Sequence, residues 1–446
     1  MRSWVALLTG LLIGAACGGA AAPAAPPTSA RTKDVGNVEF VSSQGQPAQE
    51  VNDMNQKVLS GFNGSADFQS QPTEQQDIDK VVAEQKAGGT GTVDVLGLTH
   101  GAFATLQGSD SLMDLTPLLQ KLQKDRKFPD ALLNFGKLGT DKQYYIPWMQ
   151  ATYMLVINKK ADQYLPKGVD KNSLTYDQLI AWATAVEKGT GEKLFGLPAA
   201  PGTKGGLLNR FIQGYVYPAY TGTELTNFRS PDAVQMWQML RKLWAVSNPQ
   251  STTYAQMQDP LETGEVWMAW DHQARFQDAL AKMGDQFEIL PAPAGPKGLS
   301  YITALIGLGI PKNAPNKAGA EALIDYLTQP KQQISTAATL SFSPVLEGVK
   351  LSGPNVPAYL TAEAAVADRY TTSKKSIAAW LEVGLGTQSD TLKLAYQDIF
   401  TRIILRNQDI GSALDYETGV IQGALNTAKV PCWPPDPQGS GTCQIK

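Results

Sequence analysis

The chain has 446 residues, too many for one compact core and enough for two or three domains. With 43% apolar and 18% charged residues it can bury large cores, and 38 basic against 41 acidic residues leave no charge excess of the kind a nucleic-acid binder needs. Two His and three Cys are too few for a His-rich metal centre or a cysteine cluster, so neither metal nor cofactor is expected.

Residues 1–17 have the layout of an export signal: Arg2, an apolar run over 5–13, then Gly14, Ala15 and Ala16 before Cys17. Residues 18–37 are rich in Ala and Pro, offer little to bury and read as a tether. A β-rich run at 38–41 follows. Val51, Met54, Val58, Leu59 and Phe62 then share one helical face, and a second helix with Ile78, Val81 and Val82 stops at Gly88-Gly89. Residues 93–98 form a buried strand, and Thr116-Pro117 opens a short helix. The extended stretch 144–158, interrupted by Pro147, is too long for one ordinary strand and long enough to cross between two lobes.

Thr175 and Gln178 form a capping box ahead of a helix that buries Leu179, Trp182 and Val186. Ser230-Pro231 caps a helix with Trp237 and Trp244 at core spacing. Residues 266–270 are a strand, 301–310 a second long β run, and helices are expected at 317–328, 330–338, 390–406 and 412–428. Such alternation predicts α/β layers with largely parallel sheets. The aromatic stretch Phe211, Tyr215, Tyr217 and Tyr220 fits a cleft floor or a core equally well. In an exported chain, Cys432 and Cys443 are expected to pair as a disulfide.

Several segments, in order, carry a family resemblance. They are TVDVLGLT at 92–99, LMDLTPL at 112–118, DKQYYIP at 141–147, LVINK at 155–159, TYDQL at 175–179, GEVWMAW at 264–270, LPAPAGP at 290–296 and AEALIDYL at 320–327. Together they resemble the extracellular solute-binding proteins of ABC importers, the maltose-binding-protein-like group called family 1. The small residues before Cys17 resemble a lipobox, which implies a lipid anchor on Cys17 and a lipoprotein held at the outer face of a bacterial cell membrane. The resemblance implies a two-lobed α/β fold of the periplasmic-binding-protein kind (type II) with a mainly helical C-terminal part. Hinge crossings are expected near 150, 303 and 348. One lobe then comprises 38–150 plus 304–347 and the other 151–303 plus 348–446. A monomeric, non-catalytic receptor is implied, which captures a di- or oligosaccharide and delivers it to permease subunits.

Sugars present hydroxyls around apolar faces, so their sites use flat aromatic rings and planar polar side chains. Candidates at strand ends and crossings are Ser43 and Gln44, Thr99 and His100, Trp148 and Gln150, Trp270, Asp271 and His272, Tyr301 and Thr303, and Trp380 and Glu382. Trp270 is the favoured stacking platform. Gln44 also fits a helix cap, and His100 a satisfied loop histidine. A glycerophosphodiester would instead call on Arg210, Arg275 or Arg369, a polyamine on several carboxylates, and a glycosidase on a pair such as Asp271 and Glu382.

Overall fold

The computed structural model describes residues 35–42, 44, 48–71, 73–202, 206–353 and 356–446. The export signal, Cys17, most of the tether and Ser43 lie outside the described residues.

The strands are β1 (Asn37–Ser42), β2 (Ser65–Ser70), β3 (Val95–Thr99), β4 (Ile146–Ala151), β5 (Tyr153–Asn158), β6 (Phe195–Gly196), β7 (Met268–His272), β8 (Phe287–Leu290), β9 (Leu299–Ile302), β10 (Ala304–Gly309), β11 (Ser343–Pro344) and β12 (Ser376–Ala379). They build a six-stranded sheet in the order β11-β4-β10-β3-β1-β2, a four-stranded sheet in the order β6-β7-β5-β8, and the pair β12-β9. Each large sheet has its own hydrophobic core. Phe40, Val95, Leu98, Tyr145 and Ile306 belong to the first, and Leu155, Trp182, Phe211, Trp237 and Met268 to the second. The two cores define two lobes.

The sheets are not largely parallel. β1 pairs in parallel with β2 and β3, whereas β10 is antiparallel to both β3 and β4, and β5 is antiparallel to both β7 and β8. The reversed strands are those on which the chain leaves or re-enters a lobe, so their direction is set by the other lobe rather than by a helical crossover. β4 and β5 are separated by Thr152 alone, and β9 and β10 by Thr303 alone, yet each pair is divided between sheets. A third passage lies between Val349, packed on the first core, and Leu351, buried in the second.

Local signals act where expected. Thr175 and Gln178 form the capping box of the helix Tyr176–Thr190, and the Ser230 side chain accepts the Ala233 N–H of the helix Pro231–Ala245. Gly88 ends the helix Glu74–Ala87 at a positive φ of 73°. Trp182 and Trp237 are buried, and so is the aromatic stretch 211–220, which belongs to the second core.

Cys432 and Cys443 form a disulfide. The loop it closes carries the buried Trp433 and Asp436. Closing a loop of this size restricts the unfolded chain and adds about 3 kcal/mol in the chain-entropy model. Urea denaturation with and without reductant should therefore differ by about 3 kcal/mol; superimposable curves would show that the loop's other bonds hold it unaided.

Candidate functional site

A cavity of about 260 Å³ lies between the lobes. Gln44, Glu50, Glu74, Thr99, Gly101 and Thr105 line it from the first lobe, and Tyr153, Arg210, His272, Arg275, Glu382 and Lys393 from the second. β3 delivers Thr99 to the N-terminus of the helix His100–Gly108, where its backbone N–H and hydroxyl both donate to the Glu74 carboxylate, at 2.7 and 2.8 Å. β7 ends at His272, whose Nδ1 accepts the Ala274 N–H at 3.2 Å.

The strongest interaction in the cavity wall joins residues far apart in sequence. Arg210 makes two hydrogen bonds to Glu382, at 2.5 and 3.1 Å. The planar fork of the guanidinium matches the carboxylate, which makes such pairs both strong and directional. Burial alone would raise the carboxyl pKa, but the Arg210 charge and hydrogen bonds outweigh it and hold Glu382 below the usual range. Lys393 is pushed down to about 8, by desolvation first and by repulsion from Arg210 second.

The lobes also meet directly. The Trp380 ring stands edge-on to Phe135 at 4.1 Å and to His100 at 5.7 Å, while His100 Nδ1 lies 3.0 Å from the Tyr145 hydroxyl. Beside this contact a Cβ on Gly101 would stand 2.0 Å from the Glu382 carbonyl oxygen, so the backbones approach to a distance that only glycine permits.

The expected residues divide by place. Gln44, Thr99, His272 and Glu382 reach the cavity. His100 and Trp380 form the aromatic contact between lobes. Gln150, Tyr301 and Thr303 line a separate small groove at the hinge, where Tyr301 stacks on Tyr370 at 5.2 Å and Gln150 donates to the Pro344 carbonyl at 3.2 Å.

Trp148 and Trp270 do not present rings to a ligand. Trp148 occupies a bulge of β4, where Met149 and Pro147 face consecutive residues of β10, and its side chain packs on Phe40 inside the first core. Trp270 is fully buried, stacked on Tyr153 at 4.9 Å and enclosed by Phe211 and Tyr215. Asp271 is buried beneath the site and accepts the backbone N–H groups of Met257 and His272, at 2.9 and 2.7 Å. Desolvation raises its pKa to about 6 against the opposing effects of Arg275 and these bonds.

Glu74, Phe342 and Lys393 are lining residues with no sequence signature, since each stands on an ordinary helix or loop. Arg210 had a signal only as a possible anion contact. Among the described residues no group of three or more His, Cys, Asp or Glu side chains could hold a metal ion.

Trp270→Ala should cost about 3–5 kcal/mol in chemical denaturation, as large-to-small substitutions of buried aromatics do; a loss below about 1 kcal/mol would contradict its enclosure. His272 is held down to about 3, by desolvation and then by Arg275. An unfolded histidine takes up a proton near pH 6.5, whereas the folded one resists until about 3, so its contribution to stability is lost as pH falls through that window. The melting temperature of wild type relative to His272→Asn should therefore fall between pH 7 and pH 4.5, and a constant difference would refute the desolvated ring.

The model of the family described as bacterial extracellular solute-binding protein matches residues 59–365. No curated protein sequence matches the chain significantly. Among solved structures, T. maritima MalE3 with maltose bound superposes with a TM-score of 0.69 at 18% identity, over 86% of this chain and 99% of that one. The GacH receptor of Streptomyces glaucescens, solved unliganded and with acarbose, gives 0.68 at 16% identity, over 88% and 98%. UgpB from Mycobacterium tuberculosis, in complex with glycerophosphocholine, gives 0.64 at 19% identity, over 88% and 99%. These likenesses share the two-lobed fold, and the matched span, well over half of the chain, shows that it belongs to the bacterial extracellular solute-binding protein family.

Proposed function

We propose that the protein is the substrate receptor of an ABC importer, capturing a carbohydrate between its lobes and delivering it to membrane permease subunits. The observation that carries this reading is the Arg210–Glu382 pair, a rigid planar donor–acceptor surface facing a cavity lined from both lobes. Paired hydroxyls of a sugar ring suit such a surface, because each can donate to a carboxylate oxygen and accept from a guanidinium N–H. The cavity of about 260 Å³ lies just under the roughly 300–1,000 Å³ of ordinary small-molecule sites, which favours a compact saccharide over a long chain. The maltose and acarbose complexes of the structural neighbours support the same class.

In this reading the lobes comprise 38–150 plus 304–347 and 151–303 plus 348–446. They rotate about Thr152, Thr303 and the passage near 350, and the solute favours closure because it bridges them only when they are closed. Acylation of Cys17 anchors the monomer outside the cell membrane, and residues 18–37 give it reach. The protein binds without catalysing a reaction.

A second reading takes a glycerophosphodiester as the solute. Arg210, Arg275 and Lys393 on one cavity wall favour it, as does the burial of Trp148 and Trp270, which removes two stacking platforms. A neighbour's complex with glycerophosphocholine is of this class.

A thermal-shift series with mono- and disaccharides beside glycerophosphocholine separates the two. A solute at a hundred times its dissociation constant adds about 2.7 kcal/mol. Stabilisation by a sugar, lost tenfold or more in affinity on Glu382→Gln, is the expected result. Stabilisation by glycerophosphocholine alone selects the second reading. Silence from every solute, with scattering curves unchanged, rejects the cavity as a capture site.

A further inference from the structure

We infer that the disulfide-closed loop 432–443 is a positioning element for the solute site: it sets the Arg210–Glu382 pair from both ends, through a buried relay and through a backbone clasp. The relay starts in the cavity. Arg210 Nη1 donates to Gln213 Oε1 at 3.1 Å, and Gln213 Nε2 donates to Glu224 Oε2 at 3.0 Å. That same carboxyl oxygen accepts the indole N–H of Trp433 at 2.9 Å. The Gln213 amide has one sense that serves both neighbours, oxygen toward the guanidinium and NH2 toward the carboxyl, so a shift of Glu224 is passed to Arg210.

Glu224 is itself pinned by the loop. The Asp436 carboxylate accepts the backbone N–H groups of Glu224, Leu225 and Thr226, at 2.7, 3.1 and 2.6 Å. The clasp acts on the other partner of the pair. The Pro434 carbonyl accepts the Trp380 N–H at 3.1 Å, two residues before Glu382. Gln213, Glu224, Trp433 and Asp436 are all buried, so the bonds are shielded from exchange with water. One covalently closed loop thus touches the supports of both the cation and the anion, which stand 172 residues apart in the chain. A guanidinium fork tolerates little rotation before one of its two bonds to a carboxylate is lost, which makes the pair sensitive to either support.

The inference rests on the cavity being the solute site, and its test is readable without a solute. The Glu382 carboxyl, held low by Arg210, is followed by 13C NMR titration in wild type and in Trp433→Phe, which removes the relay's indole donor from the loop along with part of the buried ring. Trp182→Phe is the control: Trp182 is equally buried in the same core, and its indole N–H donates to the Ala161 carbonyl, at 2.9 Å. Trp433→Phe should move the Glu382 midpoint up toward the ordinary carboxylate range, while Trp182→Phe leaves it in place at a similar cost in melting temperature. Mild reduction of the disulfide in wild type, with the fold verified by circular dichroism, should move it in the same direction and serves if Trp433→Phe does not fold. An unmoved midpoint in both treatments, or an equal movement in the control, overturns the inference. Calorimetry with maltose and with glycerophosphocholine forms the second arm, in which Trp433→Phe should weaken whichever binds wild type fivefold or more. If neither binds wild type, the titration alone decides the role of the loop, and the capture reading is decided by the wider solute series.

Discussion

The geometry of the molecule depends on one buried amide, that of Gln273. Its oxygen accepts the Thr152 N–H at 2.9 Å, and its nitrogen donates to the Ser341 carbonyl at 2.5 Å. Thr152 is the sole residue between the two large sheets on the first passage. Its hydroxyl donates to the Ile302 carbonyl on the second passage, and Ser341 lies on the approach to the third. Leaving a buried polar group unpaired costs about 1–3 kcal/mol, so the network fixes the passages relative to one another. The Tyr215 hydroxyl, 3.2 Å from that of Thr152, accepts the Tyr153 N–H at 3.0 Å and extends this knot into the second core. With the passages tied here, the positions of β3, β7 and the loop bearing Glu382 around the cavity follow from the registers of the sheets.

Around that knot the aromatic residues serve structure more than recognition. Trp148, Trp270, Tyr215 and Tyr370 form the flanks of the hinge, and with Tyr153 and Phe342 as the aromatic rings that reach the cavity, its surface is left mostly to polar and charged groups. In the proposed closing motion, a hinge that flexes without opening its cores benefits from stiff, well-enclosed rings on both sides. The chemistry of the cavity falls to the planar pair of Arg210 and Glu382, assisted by Thr99, Gln44 and Lys393. On the proposed reading, recognition there rests on direction and charge more than on ring stacking.

Much of the fold was legible because its signals are local. A capping box at Thr175, a glycine stop at Gly88 and Pro231 behind Ser230 act within a few residues, and the helices begin or end there. The long β runs at 144–158 and 301–310 were legible too, the first because it exceeds the roughly ten residues of an ordinary strand, and each run breaks at one threonine. Strand direction was not legible, because it depends on which lobe the chain is returning from. The site was legible in part. Strand ends at Thr99 and His272 reached the cavity, but Trp270 at a strand end faces inward, and nothing within β7 reveals that Phe211 and Tyr215 cover it. The Arg210–Glu382 pair leaves no local pattern at all, since its partners come together only through the assembly of the whole second lobe.

Gly101 carries a consequence for how such a receptor diversifies. At this position the lobes meet backbone against backbone, and any larger residue would collide with the Glu382 carbonyl. On the proposed reading, the stopping point of the jaws is therefore set by main chain at this contact. Exchanging Thr99 or Lys393, on the same reading, alters which molecules are welcome without touching this backbone contact. Adding bulk at position 101 does the reverse, wedging the gap wider while the chemical preference stays. On the proposed reading, the size and the character of the solute are thus set at different positions of the chain.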